Sequence, residues 1–182
     1  MPVDLNLLVP EFKQKVETLL ANCKQQGVDF IPSEGLRDPF IQARYWRQSN
    51  TAAVVAAEIQ RLKTAGANFL AYCIESVGPQ PNNGWLTNAI PGYSWHQWGE
   101  AVDCLWYVNG KEIGNAGTVI DGKNGYEIYA TEAKKLNLEA GYFWPVHPDS
   151  DHVQLRAAGS PSILYSLTQI DTIMKQRFGT PA

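Results

Sequence analysis

The chain runs through Gly92-Tyr93-Ser94-Trp95-His96-Gln97-Trp98-Gly99-Glu100-Ala101-Val102-Asp103, then Cys104-Leu105-Trp106-Tyr107-Val108. It passes there from a turn-forming segment into a run of β-branched and aromatic residues. From Glu100 to Val108 such residues predict a central strand, and Asn109-Gly110 after it reads as a hairpin turn. His96 therefore sits in a turn and Asp103 inside a strand, in the spacing H-x6-D. Gly99 between them lets the backbone bend so that both side chains can meet at one point. The chain has three histidines, and a catalytic zinc site needs three protein ligands with one position left open for water. His152, at the start of a later strand, is the candidate third ligand across the sheet, which would make two imidazoles and a carboxylate. The spacing alone decides nothing. Such pairs arise by chance, and a lone histidine in an aromatic-rich loop is more often a hydrogen-bonded core residue.

On either side, apolar periodicity supplies the other elements. Phe12, Val16, Leu19, Leu20 and Cys23 recur at helical spacing between Pro10 and Gly27, predicting an amphipathic helix over 10–26. A short strand is expected from Asp29 to Ser33, a helix from Asp38-Pro39 to Gln48, and another marked by Val54, Val55, Ile59 and Leu62 and closed by Gly66. Ala67 to Val77 reads equally well as helix or strand. Residues 78–93, rich in Gly, Pro and Asn, form a loop. Farther on, a helix is expected near 126–137 and strands near 139–144 and 152–156. Ser160-Pro161 should open a last helix whose buried stripe is Ile163, Leu167, Ile170 and Met174. The sum is one α+β domain over residues 1–182, with a central antiparallel sheet and helices packed over it.

Composition removes several classes of function. At 182 residues and 45% hydrophobic, the chain can bury one proper core. A net charge of -3 argues against nucleic acid as a partner. Met1 to Leu8 has no basic, then apolar, signal-like segment, and no apolar run approaches the ~20 residues that span a bilayer. The expectation is a protein made in the cytoplasm, acting outside only after release or export. Cys23, Cys73 and Cys104 lie far apart among apolar neighbours, as buried structural thiols do. A Cys73–Cys104 disulfide is the alternative, and it would need an oxidising compartment.

The segment Ser94–Asp103 fills every fixed position of S-x-H-x-x-G-x-A-x-D. It resembles the signature of VanY-type D-alanyl-D-alanine carboxypeptidases and dipeptidases, shared with the L-alanyl-D-glutamate endopeptidases of phage endolysins. These zinc peptidases belong to a superfamily that also includes lysostaphin-type enzymes and the Hedgehog signalling domain. Upstream, Gly35-Leu36-Arg37 with Gln42 resembles the family's G-x-R-x4-Q segment. Downstream, Asp149-Ser150-Asp151-His152 resembles its acid-x-x-His segment, although Asp151 stands where many relatives have Pro. The resemblance covers residues 28–156. The stretch between Gln48 and Ser94 is long for the family.

The resemblance implies a Hedgehog/DD-peptidase-like fold, Zn²⁺ held by His96, Asp103 and His152, and Asp149 as general base. It also implies Arg37 beside the developing oxyanion or a substrate carboxylate, and Ser94 orienting substrate or the metal loop. Asp151 is the alternative base, and a surface ion pair with Glu34 or Asp38 the alternative for Arg37. His147, between Pro145 and Pro148, reads as a loop residue. Trp95, Trp98 and Trp144 either line the cleft or belong to the core. The implied substrate is a peptidoglycan stem peptide, cut by a monomeric, endolysin-like L-alanyl-D-glutamate endopeptidase. D-alanyl-D-alanine carboxypeptidase action on the same scaffold and a non-catalytic zinc-bearing module are the alternatives.

Overall fold

The computed structural model describes residues 3–81 and 84–179. Met1 and Pro2 of the N-terminal segment, and Asn82 and Asn83 of the Gly-Pro-Asn loop, lie outside them. The chain folds as two compact units. One runs up to Leu36 and resumes over Trp98–Ala157; the other comprises Arg37–Gln97 and the residues from Ala158 onward.

The first unit holds the sheet. Strands β1 (Asp29–Glu34), β2 (Ala101–Val108), β3 (Lys111–Glu112), β4 (Glu139–Ala140) and β5 (His152–Gln154) pair antiparallel throughout. Their order is β1-β2-β5-β4, with β3 also on β2. Helices α1 (Pro10–Gln25) and α5 (Gly125–Lys135) cover one face. Phe12, Val16, Leu19 and Cys23 of α1 join Tyr129, Ala130 and Ala133 of α5 in a core with Val102, Cys104, Trp106 and Val153 of the sheet. The expected α+β class and antiparallel sheet are what the chain adopts. Asn109 and Gly110, at φ 51° and 74°, make the β2–β3 hairpin turn. Both central residues with positive φ are what a type I′ turn demands.

Alternation along β2 divides its residues between two faces. Val102, Cys104 and Trp106 point to the helices, which leaves Asp103 on the other side. In the register, Val102 faces Val153 and Asp103 faces His152. A bulge between Pro32 and Glu34 shifts β1 against β2 at this level, and Ser33 Oγ donates to the Asp103 carbonyl at 3.1 Å.

Four helices make up most of the second unit: α2 (Pro39–Gln48), α3 (Ala52–Thr64), α4 (Asn68–Ser76) and α6 (Leu167–Phe178). Asp38 caps α2 by accepting from the Phe40 N–H at 2.6 Å, and Thr51 caps α3. The ambiguous run 67–77 is helix. Leu70, Ala71, Cys73 and Ile74 are fully buried, and the first turn of α4 has its Leu70 N–H satisfied by the Asp171 carboxylate at 2.9 Å. This distant acceptor is what local periodicity could not show.

Two expectations need correction. The strand expected over 139–144 is only Glu139–Ala140, because the chain then coils into a single 3-10 turn, Gly141–Phe143. There the Gly141 carbonyl accepts from both Trp144 and Asp149 N–H, each at 3.0 Å. The last helix does not open at Ser160. Ser160-Pro161 starts one 3-10 turn, Pro161–Ile163, in which Ile163 is 67% exposed. Helix α6 begins instead at Leu167, behind a reciprocal capping box of Ser166 with Gln169. The cysteines follow the expectation of buried structural thiols: Cys23, Cys73 and Cys104 are all free and buried, and the alternative Cys73–Cys104 disulfide does not form. Burial pushes the Cys23 and Cys73 thiols up to about 12, as expected for inert structural cysteines. No helix among the described residues is long and apolar enough to cross a membrane.

Candidate metal centre

His96 stands on a short 3-10 turn, Trp95–Trp98, that leads directly into β2. Gly99 lies at the bend with φ 70°, and a Cβ there would stand 3.0 Å from the Leu7 carbonyl oxygen. A side chain is therefore disfavoured twice, by conformation and by space. The Gly99 carbonyl accepts from the Val9 N–H at 3.0 Å, which pins the bend to the start of α1. Beyond the bend, the two-residue period of β2 carries Asp103 to the face away from the core. The β5 register sets His152 opposite it on that face.

One donor atom from each of His96, Asp103 and His152 lies within 4.8 Å of the others. His96 and His152 are buried, and the Asp103 side chain is 16% exposed. Two imidazoles and a carboxylate fit a divalent ion such as zinc at an open site. The cluster can bind a metal ion. Burial alone would depress the His152 imidazolium. The Asp103 carboxylate, 2.9 Å from Nδ1, outweighs burial, and the ring titrates above its ordinary value.

Next to His152 stand two further acids. Asp149 is exposed, and Asp151 is partly buried. Burial, then the hydrogen bond to the Asp149 carboxyl, then the charge of Asp103, push Asp151 up to about 7. Asp151 can therefore hold a proton near neutrality and donate it to the Asp149 carboxyl. Asp149 is held in place from behind: its N–H donates to Gly141, and a Cβ at residue 141 would run into its carbonyl oxygen.

In the second unit, Arg37 precedes the α2 cap. Its Nη1 donates to Gln42 Oε1 at 2.8 Å, and the guanidinium lies over the Tyr45 ring, 5.2 Å from the centroid. Gln42 is fully buried and also accepts from Gln97 Nε2 at 3.0 Å, while its own amide donates to the Ala89 carbonyl at 2.7 Å. The buried Gln97 Oε1 accepts the N–H groups of Gly92 and Ser94 at 3.2 and 3.3 Å. Two buried amides thus tie Arg37 to the loop that carries His96, and the Arg37 N–H itself donates to the His96 carbonyl at 3.2 Å. Ser94 Oγ accepts from the His96 N–H at 3.4 Å, so it shapes this turn. The role of Gln97 escaped the sequence reading, because nothing in its spacing distinguishes it from an exposed residue of the turn.

Of the aromatic residues, Trp95 and Trp98 are buried, and the Trp95 indole N–H donates to the Ala158 carbonyl at 2.6 Å. Trp144 differs. Its ring packs against the His152 imidazole with centroids 5.2 Å apart, and Nε1 donates to Glu139 Oε1 at 3.2 Å. His147 is exposed with φ 53°.

Residues 6–143 match the model of the family VanY, D-alanyl-D-alanine carboxypeptidase. The chain belongs to the VanY family. The matched stretch contains Arg37, Ser94, His96 and Asp103 and ends before Asp149 and His152. Membership makes it a peptidase of the peptidoglycan-acting kind. Among solved structures the chain is similar to the Serratia marcescens L-Ala D-Glu endopeptidase ChiX. Identity there is 18%, covering 84% of this chain and 83% of that one, with a TM-score of 0.47. No curated protein sequence matches.

Proposed function

We propose that this VanY-family chain is a zinc peptidase that hydrolyses peptidoglycan stem peptides as an L-alanyl-D-glutamate endopeptidase of the endolysin kind. The observation that carries the reading is the gathering of His96, Asp103 and His152 donors within 4.8 Å. Those three side chains would hold the ion, which when bound lowers the pKa of a water ligand toward ~7 and polarises a carbonyl. Asp149 takes the proton of the attacking water on a carboxylate oxygen and returns it to the leaving amine nitrogen. The hydrogen bond between the Asp151 and Asp149 carboxyls leaves Asp149 beside a proton-bearing neighbour, which supports it in this role. Arg37, held by Gln42 and Tyr45, offers a permanent charge to the oxyanion or to a substrate carboxylate. Residues 1–182 act together as one monomeric peptidase domain, reaching the wall by release or export.

The family's own description favours a second reading, removal of a terminal D-alanine. Mass spectrometry of muropeptide digests, with zinc and with a chelator, separates the two. The endopeptidase reading expects zinc-dependent cleavage between L-Ala and D-Glu, and loss of one D-Ala from pentapeptides would replace it with the carboxypeptidase. Asp149→Ala is expected to lower turnover about 10²–10⁴-fold with zinc content unchanged. An equal loss in Asp151→Ala alone would transfer the base role, and no cleavage by folded, zinc-replete protein would leave a binding module.

A further inference from the structure

His152 and Gln154 are two residues apart on β5, so both point to the face that carries Asp103, while Val153 between them points into the core. Gln154 is 1% exposed. Its Oε1 lies 3.1 Å from His152 Nε2, and its Nε2 donates to the Arg156 carbonyl at 2.6 Å. The second contact fixes the amide. Rotated by half a turn, Gln154 would set its own carbonyl oxygen against that of Arg156, two acceptors with no proton between them. With Oε1 thus facing the ring, a proton on Nε2 completes the pair, and Nδ1 is left to face Asp103 Oδ1 at 2.9 Å. In a neutral ring this points an Nδ1 lone pair at a carboxylate, an arrangement that a metal ion held between the two relieves without a second proton on the ring.

We propose that Gln154 is a positioning residue that makes Nδ1 the ligating nitrogen of His152. It acts through the ring and touches neither substrate nor ion. The inference rests on the metal reading of His96, Asp103 and His152, and it reaches one step beyond that reading. Outer partners of this kind hold a histidine in one tautomer and orientation, and their loss costs about 10–100-fold in metal affinity. Trp144, packed on the same imidazole, restrains its tilt but offers no acceptor to choose between the nitrogens.

The test is calorimetric titration of Zn²⁺ into metal-free wild type, Gln154→Met, Gln154→Glu and, as a ligand control, His96→Ala. Nitrogen-15 NMR of the zinc-loaded His152 ring accompanies it. Gln154→Met, of similar shape but without the acceptor, is expected to bind zinc about 10–100-fold more weakly. Gln154→Glu keeps an oxygen at Nε2 and should restore most of that loss. The spectra should show the proton on Nε2 and the metal on Nδ1. Equal affinity of Gln154→Met and wild type, or a proton found on Nδ1, overturns the role of Gln154 and leaves the metal reading standing. Failure of wild type to take up zinc, or uptake unchanged in His96→Ala, overturns the metal reading and this role with it. The NMR result needs no variant, so it decides the matter even where Gln154→Met does not fold.

Discussion

The two faces of the β2–β5 pair are made from alternate residues of the same short strands, yet they follow opposite rules. One carries Val102, Cys104 and Val153, each with no exposed surface and packed on α1 and α5. The other carries Asp103, His152 and Gln154, nearly as well buried. Burial therefore does not tell the face that carries the candidate ligands from the one that carries the core. Partners do. The apolar face needs only close contact. On the polar face, Asp103 meets His152, His152 meets Gln154, and Gln154 meets the Arg156 carbonyl. A buried polar group without such a chain costs several kcal/mol.

This contrast can be broken by substitution. The largest effect is expected for His152→Ala, which should strip the metal and bring hydrolysis to background. Metal analysis and a muropeptide assay check it, and a metal-replete, active variant would mean that the polar face is not the working one. Arg37→Ala should lower kcat about 10²–10³-fold with little change in melting temperature, and Arg37→Lys should recover only part of that, lacking the planar fork that reaches both Gln42 and Tyr45. On the apolar side, Phe12→Ala should cost about 3–5 kcal/mol of stability, read by urea denaturation. Zinc content and turnover per folded molecule should stay near wild type; a variant that lost its metal while still folded would show that the two faces are not separable. The smallest effect is chemical. Cys104 is next to Asp103 but on the core face, and burial raises its thiol well above the ordinary range. Native protein at pH 8 should resist alkylation at Cys23, Cys73 and Cys104, and all should react after unfolding. Rapid native labelling of Cys104 would mean that the apolar face opens.

The candidate metal ligands were legible because a turn, a glycine and a strand leave strong local marks. His96-x6-Asp103 could be read without knowing what lay across the sheet. Helix α1 was legible for a related reason, since one apolar stripe on a single segment meets one core. The run 67–77 was not, because the Asp171 carboxylate that caps α4 comes from a different part of the chain. Ser160-Pro161 carries the residue types of a helix start, but the Ser160 hydroxyl is engaged with the Tyr93 carbonyl at 3.0 Å, and the capping box forms at Ser166. The expected strand over 139–144 stopped early because the Gly141 carbonyl turned to accept Trp144 and Asp149. Gln154 left a faint trace, two residues beyond a candidate ligand on a strand. Gln97 left none.

Sequence alone settled the family motif, the antiparallel α+β class and the residue types able to hold a divalent ion, all consequences of short-range spacing and of side-chain chemistry. Tertiary structure decided which strand lies beside which, and hence that Asp103 faces His152 and Gln154 an imidazole nitrogen; it also decided that Gln42, itself bonded to Gln97, holds Arg37. Those are matters of register and of partners distant along the chain. A hydrogen bond acts over about 3 Å of space, whatever number of residues separates its ends.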